Sequence, residues 1–159
     1  MTSTQHTRIT RAHETDIPSL LSLNNRYSVA GLTLARTPEF AANHLGDYRV
    51  LRDASGGILG CVALDEYSPS VAELISLAIE EDAHGLGYGR ALIAAAVELA
   101  RTRGYQELFA VSYSDELFLA CGFERAPLAT YPEKIARYAK VDRTEIEVGE
   151  KHCFARRLA

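Results

Sequence analysis

Val71-Ala72-Glu73-Leu74-Ile75-Ser76-Leu77-Ala78-Ile79, then His84-Gly85-Leu86-Gly87-Tyr88-Gly89-Arg90, then Ala91 to Arg101 (ALIAAAVELAR) form the stretch that decides the fold. The first run is apolar apart from Glu73 and Ser76, the pattern of a strand buried on both faces and hence of a central strand. The last run puts Leu92, Ile93, Ala96, Val97 and Ala100 on one stripe, with Glu98 and Arg101 off it and Gly104 just past the end. That is an amphipathic helix with its stop signal. Three alternate glycines join the two. Glycine allows positive φ and removes the side chain, so several N–H groups can converge on an anion at the positive end of the helix. A pyrophosphate is the natural ligand. The Walker loop is excluded because Gly89 is followed by Arg90-Ala91 rather than Lys-Ser/Thr. The G-x-G-x-x-G dinucleotide fingerprint fits poorly, because the spacing here is G-x-G-x-G. A tight turn without a ligand is the bland alternative.

Working outward, Tyr48 to Arg52 and Ile58 to Leu64 flank Asp53-Ala54-Ser55-Gly56-Gly57, which predicts a hairpin, and Ser68-Pro69-Ser70 breaks the chain before the central strand. Arg8 to Ala12 alternates weakly, as a half-buried strand does. Asp16-Ile17-Pro18 opens a helix with a capping Asp and with Leu20, Leu21 and Leu23 inside. Asn24 to Arg36 reads as a loop, and Thr37-Pro38-Glu39 starts a second helix that runs to about His44. Downstream come a strand at Glu107 to Ser112, a short helix at Asp115 to Ala120 and a turn at Gly122-Phe123. A helix from Pro132 to about Tyr138 follows, then a terminal strand or hairpin around Glu145 to Leu158. The sum is one α/β domain over residues 1–159: a mixed sheet in which a meander precedes one βαβ unit, with helices on both faces.

Composition narrows the function. A formal charge of −4 would repel a phosphate backbone, and no Lys/Arg cluster opposes it, so nucleic acid is an unsuitable partner. No apolar run approaches the roughly 20 residues that span a bilayer, and Met1 to Arg11 lacks a secretory pattern, which predicts no membrane partner and a cytoplasmic protein. Cys61, Cys121 and Cys153 are widely spaced and form no ligand set with histidine, so reduced thiols are expected rather than disulfides or zinc. His44, His84 and His152 are scattered, and no metal is assigned.

The glycine segment resembles the coenzyme A-binding signature of the GNAT acetyltransferase superfamily, Gln/Arg-x-x-Gly-x-Gly/Ala after the fourth strand, with His84, Gly87 and Gly89 at its spacing. His84 departs from the usual Gln or Arg. Further stretches are similar to the amino-acid N-acetyltransferases typified by N-acetylglutamate synthase, in their short single-domain form: Tyr27 to Thr37 (YSVAGLTLART), Gly60 to Ser68 (GCVALDEYS), Val71 to Ile79, and Tyr131-Pro132-Glu133-Lys134. The resemblance implies the GNAT acyl-CoA N-acyltransferase fold, α/β (α+β), with a mixed, mostly antiparallel twisted sheet. It also implies acetyl-CoA as cosubstrate, held by Leu77, Ala78 and Ile79, by His84, Gly85, Leu86, Gly87, Tyr88, Gly89 and Arg90, and by Phe118. The acceptor it implies is a small amine, best an amino acid such as glutamate at the first step of arginine biosynthesis, and a homodimer is compatible with it. One departure leaves glutamate open: where long members of the family carry an Arg, this sequence has Ser112-Tyr113-Ser114.

Acetyl transfer from a thioester to an amine needs a neutral amine, a place for the oxyanion and a proton for the thiolate. Glu73 is a lone carboxylate in an apolar strand, where a charge is costly unless hydrated or partnered. It matches the family's base, against the alternative of a salt-bridged or strand-end Glu. The backbone near Ser76 and Leu77 would donate to the thioester oxygen. The resemblance places an acid Tyr where this sequence has Phe118, so Tyr113, Ser112 and Ser114 are the remaining hydroxyls, with capping as their bland reading. Arg36 corresponds to the arginine that grips the substrate carboxylate, a task suited to its planar fork. Lys134 and Arg26 are secondary anion partners whose default reading is a solvated face. Two alternatives stand beside the amino-acid reading: a GNAT acting on another small amine or a peptide N-terminus, and a non-catalytic acetyl-CoA-sensing module.

Overall fold

Turn chemistry builds the first half of the sheet. The Asp53 carboxylate accepts from the N–H groups of Ser55 and Gly57, closing the loop between β2 (Tyr48–Arg52) and β3 (Ile58–Ser68). The Ser68 hydroxyl accepts from the N–H of Ser70 and of Val71, turning β3 into β4 (Val71–Ile79). The computed structural model describes residues 7–29, 36–138 and 151–158. With β1 (Arg8–Arg11), β5 (Glu107–Ser112), β6 (Glu124–Arg125) and β7 (His152–Arg157), these strands form one sheet in the order β1-β2-β3-β4-β5-β7-β6. Val71–Ile79 is thus the fourth of seven, the central place its apolar run predicts. Every neighbouring pair is antiparallel except β4 and β5, which are joined through α3 (Tyr88–Thr102) as a βαβ unit.

Alternation along the strands divides the core between the two faces. Leu51, Val62 and Leu64 face one way and pack with Leu92, Ile93, Ala96, Val97 and Ala100 of α3. Val50, Cys61 and Ala63 face the other way and pack with Leu20 and Leu23 of α1 (Ile17–Val29). Gly60 permits the close approach of α3, because a Cβ there would stand 3.0 Å from Leu92 Cδ1. The remaining helices are α2 (Pro38–Asn43), capped by the Thr37 hydroxyl at 3.1 Å from Phe40 N, α4 (Asp115–Ala120) and α5 (Pro132–Tyr138).

Three expectations change. α1 continues through Asn24 to Val29 rather than yielding to a loop at Asn24, and a tertiary contact holds this last part: the Asn25 side chain bonds both the N–H and the C=O of Arg36. The remainder of that expected loop, 30–35, and with it the middle of the YSVAGLTLART stretch, lies outside the described residues, as do 145–150 of the expected terminal strand. Asp16 does not cap α1. Its carboxylate accepts from His13 N at 2.7 Å and holds the buried Arg52 at 2.6 Å. Finally, α3 starts at Tyr88 rather than Ala91, which brings Tyr88, Gly89 and Arg90 into its first turn.

Candidate active site

The two parallel strands do not stay paired. Their register runs Val71↔Glu107, Ala72↔Leu108 and Glu73↔Phe109 and stops there, although β4 continues to Ile79 and β5 to Ser112. Beyond Glu73 the strands part, and a cleft of about 500 Å³ lies between them. β4 also carries a bulge. Cys61 and Ala63 of β3 face Ala78 and Ile75, so Val62 alone opposes both Ser76 and Leu77, and Ser76 takes φ +56°. A non-glycine residue at positive φ carries strain, and here it turns the strand along the cleft wall. Nothing in the sequence signals this bulge.

One end of the cleft is the glycine turn. Gly85 and Gly87 have φ of +80° and +83°, and a Cβ built on either would meet open space, so glycine is needed there for conformation rather than clearance. Gly89 differs: it sits in the first helical turn, where its Cβ would lie 3.1 Å from Leu117 Cδ2 of α4. The first intrahelical bond of α3 runs from Ala91 N to Gly87 O, which leaves the N–H groups of Tyr88, Gly89 and Arg90 at the positive end of the helix. Leu77, Ala78, Ile79, His84, Gly85, Gly87, Tyr88, Gly89, Arg90 and Phe118 all line the cleft. Leu86 does not belong to its wall and is 53% exposed. The His84 ring is occupied at 2.9 Å from the Ile79 carbonyl. Phe118 is buried against Phe123 and Phe154 and has no hydroxyl to give.

The other end is polar. Glu73 is 3% exposed, with one carboxylate oxygen 2.7 Å from Tyr67 Oη and the other 2.8 Å from Lys134 Nζ. Lys134 is therefore a buried partner of Glu73 and not part of a solvated face. The strand bearing Glu73 and the helix bearing Lys134 are far apart in sequence, so only folding could reveal the pairing. Phe109 stacks on Tyr131 at 3.7 Å and meets Tyr67 edge-on, placing apolar rings around the ion pair. Arg36 reaches Ser76 Oγ with its Nε at 3.4 Å and lies over the Phe40 ring. Ser112, Tyr113 and Ser114 line the cleft as well, where Ser112 Oγ accepts from Ser114 N in a local turn ahead of α4, and the Ser114 hydroxyl makes no capping bond. Arg26, by contrast, forms an exposed pair with Glu80.

Two residues of this end escape sequence reasoning. Tyr67 could have been placed, since the short turn at Pro69-Ser70 folds β3 back beside β4 and brings it near Glu73. Lys151, which also lines the cleft, has no such signal. None of the thiols is suited to nucleophilic work: burial pushes Cys61 up to about 12 and Cys153 up to about 11, and raises Cys121 as well. Among the described residues, no group of three or more His, Cys, Asp or Glu is arranged to hold a metal, and no helix is long and apolar enough to cross a membrane.

A parallel pair thus separates at the centre of a mixed sheet, with the open backbone N–H groups of a glycine turn at one mouth and an ionisable cluster at the other, an arrangement suited to a phosphate-bearing ligand. The chain belongs to the Acetyltransferase (GNAT) family, whose sequence profile matches residues 17–123. It is 33% identical over 127 residues to an amino-acid acetyltransferase of Neisseria meningitidis, covering 79% of this chain and 29% of the relative. It is 28% identical over 131 residues to an N-acetyltransferase of Chlorobaculum tepidum, covering 82% and 84%. Among solved structures, N-acetylglutamate synthase from Neisseria gonorrhoeae in complex with coenzyme A and N-acetyl-glutamate superposes with a TM-score of 0.83 at 30% identity, over 96% of this chain and 35% of that one. This chain spans only about a third of the length of the Neisseria proteins. The mixed, mostly antiparallel sheet with helices on both faces is the GNAT architecture that the sequence predicts.

Proposed function

We propose that this protein transfers the acetyl group of acetyl-CoA directly to the α-amine of a small amino acid, with glutamate the leading acceptor, which would place it at the first step of arginine biosynthesis. The observation that carries the reading is the meeting of Arg36, Glu73 and the Ser76 bulge at one end of a cleft whose other end is the Gly85–Gly87 turn. The amino-acid acetyltransferases and the coenzyme A-bound synthase it resembles support the same reading.

The residues suit the cosubstrate, because the open positive-φ glycines and the start of α3 offer backbone N–H groups to a pyrophosphate, and the unpaired stretch of β4 offers main-chain groups to an extended arm. Acetyl-CoA supplies an activated acyl carbon: the amine nitrogen forms the new C–N bond, the C–S bond breaks, and the thiolate leaves as a thiol after taking a proton. Arg36 holds the α-carboxylate of the acceptor through its guanidinium fork. Glu73 takes the proton that the amine releases, directly or through water, and Tyr67 and Lys134 fix the carboxylate in place. The backbone at Ser76 and Leu77 donates to the developing oxyanion. With Phe118 set aside, Tyr113 and Ser114, with Ser112 beside them, line the cleft and are the hydroxyls assigned to protonate the thiolate, directly or through water. The raised thiols leave no cysteine to carry the acyl group, in keeping with direct transfer.

A second reading, a module that binds acetyl-CoA without turnover, is favoured by Phe118 and by the full engagement of Glu73 with Lys134 and Tyr67. Thiol release from acetyl-CoA, measured against amino acids and other amines with mass confirmation of the product, separates the two. Acetylated glutamate or a near relative establishes the transferase; cofactor binding with no acceptor consumed establishes the sensor.

A further inference from the structure

Lysine is scarce in this chain, three residues against fourteen arginines, yet two of the three line the cleft. Lys134 is committed, its Nζ holding Glu73 at 2.8 Å. Lys151 is not. It stands half-buried just before β7, whose His152 pairs with Ser112 of β5, and its Nζ lies 5.5 Å from the centre of the Tyr113 ring. Among the described residues no carboxylate lies within ion-pair distance of it, although Lys134, Glu73 and Arg36 are near enough for it to feel their charges. The polar end of the cleft thus holds an amine of the chain's own where an acceptor amine must come, with the carboxylate read as the base close by.

We propose that Lys151 is a self-acetylation site: when no free acceptor is present, its Nζ takes the acetyl group of acetyl-CoA bound by the same chain. The inference rests on the transferase reading and adds to it a second acceptor, a lysine side chain fixed in the cleft rather than a diffusing amino acid. Burial, and after it the neighbouring Lys134, push the Lys151 pKa down to about 8, while Glu73 opposes the shift and Arg36 adds to it. Near that pH a large share of the amine is neutral and nucleophilic, where a solvated lysine stays almost wholly protonated. The step balances in three moves. Loss of a proton to water leaves Nζ neutral. Its lone pair then forms the N–C bond to the acyl carbon as the C–S bond breaks. The surplus proton of the amine passes to Glu73, directly or through water, while the departing thiolate takes a proton from solvent. The products are an Nζ-acetyl-lysine and free coenzyme A. Position supplies the rate, because an amine held within the site reacts at an effective concentration far above that of amines in solution.

The test incubates the full chain, wild type and Lys151→Arg, with acetyl-CoA and no added acceptor, and follows acetylation by peptide mass mapping. With so few lysines the reference amines are Lys140 and the chain N-terminus. The expected result is acetylation of Lys151 at least about 10-fold faster than at those two amines, and at least about 10²-fold faster than at Lys151 in the urea-unfolded chain. The rate should saturate with acetyl-CoA, fall when excess coenzyme A competes, and stay the same per molecule when the protein is diluted. K151R should show only the slow background at the other amines. Equal rates at the three amines, an unchanged rate in urea, or a rate per molecule that grows with protein concentration would overturn the proposal. Thiol release with free amino acids, run in parallel, keeps the two readings apart. A chain that acetylates amino acids and leaves Lys151 bare retains the transferase reading and loses this one. Lys151 acetylated in a chain that consumes no free acceptor sustains this one and removes amino acids as substrates.

Discussion

Glu73 shows how one residue can be legible in kind and illegible in context. A lone carboxylate in an apolar strand announces either a wet site or a partner, and folding supplies a partner, Lys134, together with the Tyr67 hydroxyl. Breaking that pair from one side leaves a buried charge alone, so Lys134→Met should cost about 3–5 kcal/mol, measured as a lower urea midpoint. Glu73→Gln should lower kcat by about 10²- to 10⁴-fold with coenzyme A affinity retained, which is the effect of losing a positioned base; an unchanged kcat would take the base role from Glu73. Lys151 gives a pH signature. Its folded pKa is depressed, to about 8 from a reference of 10.5, so between those values the unfolded chain holds more protons and stability rises with pH. Lys134, Glu73, Arg36 and Tyr113 surround the group, so comparison with Lys151→Met in the same buffers isolates its contribution.

At the scale of elements, the βαβ unit does the positioning. α3 is specified by an apolar stripe and a stop glycine, both visible in sequence; its first turn, like that of any helix, has N–H groups without intrahelical acceptors, and the glycines before it adopt positive φ at the cleft mouth. Gly87 and Gly89 look equivalent in the motif and are not equivalent in the fold. Ala at 87 would sit at φ +83°, a conformation that costs an L-residue roughly 1–2 kcal/mol. Ala at 89 would meet the ends of two flexible side chains, Leu117 at 3.1 Å and Ile79 at 3.6 Å, and in a helical turn it recovers up to about 1 kcal/mol of propensity. Denaturant midpoints should therefore fall for Gly87→Ala and hardly move for Gly89→Ala; equal losses would show that the loop conformation is not what selects glycine at 87.

For the molecule as a whole, one sheet carries apolar packing on both faces, and the cleft opens only where that sheet loses a pairing at its centre. Ligand binding at that seam joins β4, β5 and α3, so it should stabilise the entire fold. Cofactor at 100 times its dissociation constant adds about 2.7 kcal/mol, which for a chain of this size is a melting-temperature rise of roughly 5–10 °C. Differential scanning fluorimetry across a coenzyme A titration reads it directly, and a flat response would argue against binding at the seam. Because the Neisseria relatives are about three times as long, this measurement also asks whether the domain binds its cofactor unaided.

The sequence by itself determined the elements and the class of ligand. Apolar runs, alternation, turn residues and three spaced glycines are local signals, and local signals fix strands, helices and an anion-binding turn. Tertiary structure alone decided the polar end of the cleft. The Ser76 bulge, the continuation of α1 through Asn25, and the arrival of Lys134 and Lys151 beside Glu73 and Tyr113 depend on contacts between residues far apart in the chain. Such contacts leave no periodic trace: whether a charged residue is solvated or buried is set by what the fold brings against it, and each residue of the chain carries only its own half of that pairing.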